Sequence, residues 1–471
     1  MKVLLAASEV APIVKIGGLG DVIGSLPKAL RKLGVKADVV VPFYSTIKTD
    51  NLQIYKSHVI DVDFNGETNP VDVYKTRLPD SEVWVFMLKN DKYLAAGGVS
   101  YYARTVSETE MFSFFDSAIV ELVKSAFNTY DVIHCNDWHT GMVTHLLEQQ
   151  LGYERPATLF TIHNLMYQGV GDDDIVREVG IVPGEHPLID WDIADGDLNM
   201  MQQGVTSADF VNTVSPTYAQ EILTPKFGGS LVDILKAREG RLCGILNGID
   251  YAAFPRGYDA VSWQIEKPKM REALVRKCGL TIDADCPIFS FIGRIDPNQK
   301  GLDILFDAVP EIIKGGGAFI LLGSGDKVWE EKYMHLAEDA SFSGKIACIN
   351  KFDPDLANLI YSGSDFLVIP SKYEPCGLIQ MIAMWYGTIP IVHAVGGLKD
   401  TVIDYVNGLV FDRYTAEALI DSVRAAFETY KSKDTMTDLV TTAMTQNFDW
   451  TKSAIEYAKL YERIIELRKA A

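Results

Sequence analysis

Short apolar runs alternate with longer amphipathic stretches along almost all of this chain. The runs have three to five residues and turn-forming residues on either side, which is typical of buried strands. In the first half they are residues 39–41, 83–87, 132–134, 158–162 and 210–214, and in the second half residues 288–292, 319–322, 346–349, 366–369 and 389–392. Between them, stretches such as residues 107–127 and 302–313 predict helices. This alternation predicts an α/β fold with parallel sheets, in which ligands bind beyond the carboxyl ends of the strands.

The length of 471 residues predicts two or three domains. The stretch 250–263 contains aromatic residues, proline and glycine, and it follows a turn-rich segment, so it suits a domain boundary. We therefore expect one α/β domain over residues 1–250 and a second over residues 251–449. The last segment, residues 450–471, predicts an amphipathic helix up to about residue 467. Residues 171–196 are acidic, contain two prolines, and predict a long irregular insertion that could be mobile.

Composition and charge exclude several classes of function. The net charge of -19 argues against nucleic acid and against anionic membrane surfaces, because no basic stripe is present to neutralise phosphates. A neutral polymer stays possible as a partner. The six cysteines form no CxxC pair, which is typical of reduced thiols in a cytosolic enzyme. We found no signal-peptide pattern and no run of eighteen apolar residues, so we expect a cytoplasmic protein without a membrane span.

The first strand-to-helix loop carries Gly17, Gly18 and Gly20. Glycines there let the backbone approach a ligand, and the first N–H groups of the following helix favour a phosphate. Lys15 just upstream adds a cation. The spacing is not GxGxxG, so a nicotinamide cofactor is disfavoured. A tight turn with a solvated lysine is the alternative interpretation.

Three loops of the second half also follow predicted strands. One carries Arg294 and Lys300, two cations that suit a diphosphate, with the arginine able to bind it through two N–H groups. The next carries Glu374, whose carboxylate either accepts hydrogen bonds from sugar hydroxyls or interacts with a helix N-terminus. The third repeats the GGL pattern at Gly396 and Gly397 and predicts a second substrate-binding loop. A solvated loop is the alternative for the first of these, and a chance match of a few residues is the alternative for the third.

Two histidines lie just after predicted strands. His139, in the sequence Asp-Trp-His, is expected to be structural, because the neighbouring Asp and His residues match no familiar metal-ligand spacing. His163, at a strand end, is the better site candidate. Asn247 is either a turn residue or an amide that faces a sugar. We expect no metal site and no cofactor.

Taken in this order, the segments resemble the bacterial-type glycogen and starch synthases, the retaining transferases of glycosyltransferase family 5. The resemblance runs from Met1 to the last helix. It rests on KIGGLGDV at 15–22, DWH at 137–139, TIHN at 161–164, TVSPTY at 213–218, ILNGID at 245–250, EPCGL at 374–378 and GGL at 396–398. It implies the GT-B fold, in which two Rossmann-like domains with parallel sheets face each other across a deep cleft and a final helix crosses back to the first domain.

The resemblance also implies an activity. Glucose would pass from a nucleotide sugar, with ADP-glucose expected, to the non-reducing 4-OH of an α-1,4-glucan with retention. The implied partners are the nucleotide-glucose donor and a glycogen, starch or maltooligosaccharide acceptor. The implied compartment is the cytoplasm, or the plastid stroma in a plant or alga. The family is described as lacking a protein nucleophile, so the leaving phosphate would accept the acceptor proton.

The resemblance assigns roles to residues of this chain. Arg294 and Lys300 would neutralise the departing diphosphate. Glu374 and the backbone of Cys376, Gly377 and Leu378 would hold the glucose, while Gly17 and Gly18 contact the diphosphate. Lys15, Asp21, His163 and Asn247 would line the sugar and acceptor side. Of these, we expect His163, Arg294, Lys300 and Glu374 to be catalytic.

Three positions depart from the family pattern. Five residues separate Arg294 from Lys300, where many bacterial relatives have four. Gln202 stands where relatives often carry lysine, and Ile382 stands where many retaining enzymes of this fold have a second glutamate. Recognition of the ribose must therefore come from elsewhere.

Other functions remain open at this point. The same fold serves transferases that make small glucosides, and sugar-nucleotide epimerases. A dehydrogenase would need GxGxxG and an acidic residue about twenty positions later. A non-catalytic glucan-binding protein is disfavoured, because Lys15, Arg294, Lys300 and Glu374 occur together.

Overall fold

The computed structural model describes residues 1–94, 107–125 and 130–470. Within these ranges the chain forms two compact units. Unit 1 comprises Met1–Gly248 and the C-terminal segment that begins at Trp450, and unit 2 comprises Ile249–Asp449. Each unit is built around a parallel or mostly parallel sheet. The predicted fold class, α/β with two parallel-sheet domains, is confirmed.

Unit 1 contains a nine-stranded sheet and a separate two-stranded one. Its strands are β1 Lys2–Ala6, β2 Lys36–Pro42, β3 Tyr55–Phe64, β4 Glu67–Arg77, β5 Trp84–Lys89, β6 Val132–Asn136, β7 Ala157–Ile162, β8 Val170–Asp172, β9 Asp197–Asn199, β10 Phe210–Thr213 and β11 Leu242–Gly244. Its helices before unit 2 are α1 Gly18–Lys32, α2 Glu108–Ser125, α3 Val143–Leu151, α4 Ile175–Glu178, α5 Pro187–Asp192, α6 Met200–Ser207, α7 Pro216–Glu221, α8 Pro225–Gly228 and α9 Val232–Ala237. Residues 126 and 127, the end of the predicted helix 107–127, lie outside the described residues.

The large sheet has the order β11-β10-β7-β6-β1-β2-β5-β4-β3. Its inner strands pair in parallel, and β1, at its centre, is buried on both faces, as its continuous apolar run requires. The last pairs, β4 with β5 and β3 with β4, are antiparallel. The sequence did not predict β3 and β4, because much of this hairpin faces solvent and its strands carry many polar residues.

Unit 2 has a six-stranded, fully parallel sheet of order β14-β13-β12-β15-β16-β17. Its strands are β12 Ile288–Ile292, β13 Ala318–Leu322, β14 Ile346–Ile349, β15 Phe366–Ile369, β16 Ile389–His393 and β17 Leu409–Phe411. Its helices are α10 Trp263–Cys278, α11 Leu302–Lys314, α12 Lys327–Glu338, α13 Pro354–Gly363, α14 Ile379–Trp385, α15 Gly396–Thr401, α16 Ala416–Lys431 and α17 Lys433–Met444. The chain ends in α18, Trp450–Ala470, which packs on α1 and β7 of unit 1.

The insertion between β7 and α6 is more regular than the sequence predicted. It contains the antiparallel pair β8 and β9 and the short helices α4 and α5. Apolar residues anchor it in the core of unit 1, among them Val176, Ile181, Ile189 and Leu198. The sequence predicted an irregular segment because acidic residues dominate it and these buried apolar residues are widely spaced.

All six cysteines lie within the described residues, where none of them takes part in a disulfide bond. Among the described residues, no helix combines the length and the apolar character that crossing a membrane would require.

A buried polar network joins three strands of unit 1 to the final helix. The Tyr461 hydroxyl donates to Nδ1 of His134 at 2.8 Å, and Nε2–H of His134 donates to Oγ1 of Thr161 at 2.5 Å. The Thr161 hydroxyl donates to Asn212 Oδ1 at 2.5 Å, and the Asn212 amide reaches the Tyr457 hydroxyl at 3.0 Å. Burial lowers the pKa of His134 to about 3, so it is neutral at ordinary pH. Because each polar group has a partner, the network holds α18 without leaving a buried donor or acceptor unsatisfied.

Replacing Tyr461 with phenylalanine should destabilise unit 1. Tyr461→Phe leaves the buried Nδ1 of His134 without a donor, which typically costs about 1–3 kcal/mol. The measurement is the free energy of unfolding from urea titration. The matched control is Tyr153→Phe, since Tyr153 is 86% exposed, and its effect should stay within about 0.5 kcal/mol. Equal effects for the two variants would contradict the role of the network.

Candidate active site

In unit 2, the loops after β12 and β15 place a lysine against a glutamate. Lys300 Nζ lies 2.7 Å from Glu374 Oε2, and the Ser371 hydroxyl donates to the same oxygen at 2.9 Å. Both charged side chains are largely buried, 16% and 9% exposed. A charge-assisted hydrogen bond in such a place is short and well oriented. The extra residue between Arg294 and Lys300 therefore does not turn the lysine outward.

Arg294 lies at the start of the same loop but is more open. Its Nη2 donates to Gln299 Oε1 at 3.0 Å and lies 3.7 Å from Asp296 Oδ2, and its side chain is 58% exposed. The loop closes as a turn in which Lys300 N donates to Asp296 O at 2.9 Å. In this conformation the guanidinium is held near the loop yet remains accessible to solvent.

Glycines let these loops pack backbone to backbone. Gly301 has φ +66°, and a Cβ there would lie 1.9 Å from the Pro370 carbonyl oxygen. Gly396 has φ +44°, and its Cβ would lie 1.9 Å from the Glu374 carbonyl oxygen. The Gly397 amide donates to that same oxygen at 3.1 Å. The fold itself therefore requires Gly396, and with Gly397 it fixes the loop that carries Glu374.

The loop that contains Cys376, Gly377 and Leu378 is tied to the helix that follows it. Gly377 has φ +71°, a conformation that favours glycine. The side-chain amide of Gln380 donates to the carbonyl oxygens of Cys376 and Gly377, at 3.2 and 2.8 Å. These two hydrogen bonds from Gln380 fix the orientation of the loop backbone.

The sequence interpretation missed a glycine-containing loop after β13. Ile295 N donates to Ser324 O at 2.9 Å, and Asp326 N donates to Ile295 O at 2.8 Å. A Cβ on Gly323 would lie 1.9 Å from the Gly293 carbonyl oxygen. This loop therefore supports the one that carries Arg294. The Gly-Ser-Gly sequence directly after a predicted strand was the available signal.

The sequence interpretation also missed Phe352, in the loop after β14. Its ring is 83% exposed at the carboxyl edge of the unit 2 sheet. A bulky apolar side chain in that position has no packing role within the fold, so it is a candidate for contact with a ligand.

In unit 1, the predicted phosphate loop holds an internal carboxylate. Oε2 of buried Glu9 accepts hydrogen bonds from the amides of Ile16 and Gly17, the latter at 3.1 Å. Burial raises the pKa of Glu9, and backbone N–H groups of the loop partly offset this. The Gly17 amide is therefore already engaged in this structure. A Cβ on Gly17 would make only ordinary contact, at 3.6 Å from Glu9, so the fold does not require glycine there.

Lys15 and Asp21 form an ion pair beside this loop. Lys15 Nζ lies 2.7 Å from Asp21 Oδ1, and both side chains are partly exposed. An exposed pair of this kind contributes little to stability. Both groups are therefore available to a ligand at small cost.

His163 is a neutral hydrogen-bonding group. The amide of Asn136 donates to the carbonyl oxygens of Ala6 and His134, at 3.1 and 3.0 Å, so its Oδ1 must be the atom that faces His163 Nε2 at 3.0 Å. Nε2 therefore carries the proton, and Nδ1 is left as an acceptor. Burial lowers the pKa of His163 to about 3, which excludes a cationic role at neutral pH.

Asp137 is a buried carboxylate next to these groups. Its φ is +65°, and Oδ1 has no hydrogen-bond partner among the described residues. Burial raises its pKa to about 8, with the charge of Glu9 adding to the shift and N–H groups of Trp138, Asn164 and His163 opposing it. A strained, buried and incompletely bonded carboxyl group is typical of a functional site.

The remaining candidates of unit 1 differ in their surroundings. His139 is buried and stacks on Trp138, with ring centroids 4.1 Å apart. Asn247 is buried, and its Oδ1 has no partner among the described residues, which favours the ligand-facing interpretation. Gln202 is buried at the start of α6, where its backbone N–H donates to Oδ1 of the N-cap residue Asn199 at 3.0 Å.

Within the residues that the structure describes, no group of three or more His, Cys, Asp or Glu side chains could hold a metal ion. Lys300, Glu374, Gly396 and Gly397 are brought together in unit 2. Glu9, Gly17 and Asp21 lie around one loop in unit 1.

Comparisons with known proteins show the family of the chain. Residues 2–237 match the family model described as starch synthase catalytic domain, and residues 278–439 match the model described as glycosyl transferases group 1. The glycogen synthase of Exiguobacterium sibiricum is 36% identical, and the match covers 98% of this chain and 99% of that protein. The glycogen synthase of Kosmotoga olearia is 37% identical over 99% of this chain and 98% of that protein.

Two solved structures show the same fold. The catalytic domain of starch synthase IV from Arabidopsis thaliana, bound to ADP and acarbose, is 29% identical with a TM-score of 0.89 and covers 99% of both chains. Sucrose-phosphate synthase from Thermosynechococcus elongatus has a TM-score of 0.63 at 23% identity, again over 99% of both chains, which supports the fold alone. Two parallel-sheet units with these loops define a GT-B glycosyltransferase. The chain belongs to the glycogen and starch synthase family, and it is an enzyme of glucosyl transfer in glycogen or starch synthesis.

The buried carboxyl group of Asp137 should make stability depend on pH. Its folded pKa is about 8 against an ordinary value of 3.8, so between these values the unfolded state ionises while the folded state keeps its proton. Stability contributed by this group therefore falls as pH rises through that window. Asp137→Asn, which cannot ionise, should gain stability relative to the original protein by about 1.4 kcal/mol per pH unit between pH 5 and 8.

Urea unfolding at pH 5, 6.5 and 8 measures this difference. The control is Asp61→Asn, which changes an exposed carboxylate on β3 of the same unit, and the gain of Asp137→Asn is measured against it. A difference for Asp137→Asn that is constant across the three pH values would show that Asp137 is ionised in the folded protein.

Proposed function

We propose that the enzyme transfers glucose from ADP-glucose to the non-reducing 4-OH of an α-1,4-glucan, with retention. Glycogen, starch and maltooligosaccharides are the proposed acceptors. The observation that carries the proposal is the buried pair of Lys300 and Glu374, 2.7 Å apart, with Arg294 at the start of the loop that carries the lysine. This pair brings a cation suited to a diphosphate next to a carboxylate suited to a sugar. The ADP that the Arabidopsis relative binds supports the choice of donor.

Arg294 and Lys300 are proposed to bind the donor diphosphate. Lys300 is held against Glu374, and Arg294 has an accessible guanidinium that can form two parallel hydrogen bonds to phosphate oxygens. When the donor binds, Lys300 shares its charge between Glu374 and the phosphate. Preorganised cations stabilise charge that develops as the glucosyl bond breaks.

Glu374 and the backbone of Cys376, Gly377 and Leu378 are proposed to hold the glucose. The carboxylate of Glu374 accepts hydrogen bonds from hydroxyl groups, and its position is fixed by Lys300 and Ser371. Gly396 and Gly397 are assigned an indirect part in binding, through their packing against this loop.

Phe352 is proposed to stack on the nucleobase. An aromatic ring exposed at the carboxyl edge can cover the flat face of a base without a specific hydrogen-bond pattern. Since Ile382 offers no carboxylate to the ribose, this stacking would supply part of the nucleoside binding.

In unit 1, Lys15, Asp21, His163 and Asn247 are assigned to the sugar and acceptor side. His163 Nδ1 and the unpartnered Oδ1 of Asn247 are both acceptors, which suits sugar hydroxyls. Gly17 and Gly18 are proposed to contact the diphosphate. The absence of a steric need for glycine at Gly17 supports a ligand-related reason for it.

The proposed transfer proceeds without a protein nucleophile. The bond between glucosyl C1 and the β-phosphate oxygen breaks, and a bond forms between C1 and O4 of the acceptor. The acceptor's hydroxyl proton passes to the leaving diphosphate on the same face. His163, being neutral, assists as a hydrogen-bonding dipole with nearby carbonyls and not as an acid.

The domain roles follow from these assignments. We propose residues 1–250 as the acceptor and catalytic domain, residues 251–449 as the nucleotide-sugar domain, and residues 450–471 as a helix that belongs with the first. The packing of α18 on α1 and β7 supports the last assignment.

Removal of either cation should slow the reaction strongly. Arg294→Ala and Lys300→Ala should each lower kcat by about a hundred- to a thousand-fold, the usual cost of losing one preorganised stabiliser of the transition state. Initial rates of ADP release with glycogen measure this. Lys314→Ala, at the exposed C-terminal end of α11, is the matched control and should keep normal turnover. Near-normal kcat in Lys300→Ala alone would refute the lysine assignment, and in both variants it would refute the site.

Activity should not require a metal. The charges proposed to face the diphosphate are side chains, so glycogen extension should continue in excess EDTA. Since the Arabidopsis relative binds ADP, extension should also run faster with ADP-glucose than with UDP-glucose. Loss of activity with the chelator, or a preference for UDP-glucose, would contradict the proposal. Nucleotide release only with small acceptors would favour a small-glucoside transferase, and a changed sugar without nucleotide release would favour an epimerase.

A further inference from the structure

A buried histidine that the proposed transfer does not use lies at the end of β16. His393 is 3% exposed, and its Nδ1 lies 2.7 Å from the main-chain carbonyl oxygen of Ser371. Because a carbonyl oxygen can only accept a hydrogen bond, Nδ1 carries a proton and donates to it. The imidazole therefore holds the backbone at the start of the loop that carries Glu374.

The ring of His393 is itself fixed by packing. It stacks on the ring of Phe411, its neighbour across the β16–β17 pair, with centroids 5.3 Å apart. The ring of Tyr414 lies beside it, with centroids 5.5 Å apart, and the Tyr414 hydroxyl donates to Oδ1 of Asp303 on α11. Two rings, one of them anchored to a helix, therefore set the direction of the imidazole N–H group.

Ser371 passes this constraint on to Glu374. Ser371 is fully buried, and its hydroxyl donates at 2.9 Å to Glu374 Oε2, the same oxygen that Lys300 Nζ reaches at 2.7 Å. Within the described residues, no donor is paired with Oε1 of Glu374. One carboxylate oxygen is thus committed to the protein, and the other can accept a hydrogen bond from a ligand.

The next residue, Lys372, is held by a different loop. Its backbone amide donates to Gln299 O at 2.8 Å, and Gln299 Oε1 accepts a hydrogen bond from Arg294 at 3.0 Å. The backbone at residues 371–372 is therefore anchored both to the loop after β12 and to β16. Removing the contact with His393 leaves the first anchor in place, so we expect a change in alignment and not a loss of the fold.

We propose that His393 and Ser371 are positioning residues, which align the Glu374 carboxylate so that Oε1 accepts a hydrogen bond from a hydroxyl group of the donor's glucosyl unit. This rests on the proposed function, because it takes Glu374 to hold the glucose. Ser371 acts through its hydroxyl, His393 acts through the carbonyl of Ser371, and neither touches the substrate. A carboxylate free to rotate makes this hydrogen bond only part of the time, so its alignment favours the reactive geometry.

Ser371→Ala, His393→Phe and His393→Asn test the proposal through initial rates of ADP release with glycogen. Phenylalanine keeps a ring but removes the N–H donor, whereas asparagine places an amide N–H close to the position of Nδ1. Ser371→Ala and His393→Phe should each lower kcat/KM for ADP-glucose about five- to tenfold, the usual order for one hydrogen bond. His393→Asn should recover most of the activity. The affinity for ADP, measured by calorimetry, should be unchanged, because ADP lacks the glucosyl unit.

The matched control is Ser290→Ala. Ser290 is equally buried in β12, and its hydroxyl donates to the carbonyl oxygen of Phe366 at 3.0 Å. This change removes a buried hydroxyl of the same kind without removing a contact of Glu374, so kcat/KM should stay normal.

A double-mutant cycle shows whether Ser371 acts through Glu374. Added to Glu374→Ala, Ser371→Ala should cause little further loss of kcat/KM, because the carboxylate that it aligns is already gone. Two full losses that multiply would overturn the proposal. An equal loss of ADP affinity in His393→Phe, no gain of His393→Asn over His393→Phe, or an equal loss of activity in Ser290→Ala would also overturn it.

Failure of the proposed function has a different signature. If the original protein releases no ADP from ADP-glucose, the proposed function fails. The same cycle of Ser371→Ala and Glu374→Ala in urea unfolding then decides on the contact itself. Additive changes in the free energy of unfolding would refute the contact, and non-additive changes would support it.

Discussion

Backbone-to-backbone packing of the carboxyl-edge loops is the constraint on which the unit 2 site depends. A Cβ at Gly301, Gly323 or Gly396 would come within 1.9 Å of a carbonyl oxygen of a neighbouring loop. Only glycine permits this approach, so the loops lock one another in place without long side chains between them. The short distance between Lys300 and Glu374 is a consequence of that packing. The positions of the two charged groups thus follow from steric requirements at glycines that are not themselves part of the pair.

Burial has different consequences for the candidate residues of the two units. In unit 1 it lowers the pKa of His163 to about 3 and raises that of Asp137 to about 8, so both are uncharged near neutrality. In unit 2, Lys300 and Glu374 are buried as a pair, and each compensates the desolvation of the other. Neutral acceptors and donors suit sugar hydroxyls, whereas fixed cations suit a diphosphate. Groups suited to sugar hydroxyls and groups suited to a diphosphate therefore differ in their surroundings, and not only in residue type.

The sequence predicts those features that depend on short-range pattern. The run 288–292, apolar except for Ser290, is the observed strand β12, because a strand buried on both faces is apolar along nearly all of its length. The hairpin of β3 and β4 escaped prediction, since its exposed face dilutes that signal. The contact of Glu9 with the Gly17 amide, the inward direction of Lys300 and the exposure of Phe352 depend on where the chain returns in space. No spacing rule contains that information.

The two GGL loops show how one motif can have two physical causes. At Gly396 and Gly397 the fold itself needs glycine, because the neighbouring backbone leaves no room for a side chain. At Gly17 there is room, and the amide is instead held by the carboxylate of Glu9. Likeness in sequence therefore does not imply two equivalent phosphate sites. A negative group of the protein already occupies the N–H groups of the first loop, so a phosphate that binds there must share them or displace Glu9. Burial raises the pKa of Glu9, and the N–H groups that donate to its carboxylate partly offset that shift, so the loop already balances one acidic group before any phosphate binds.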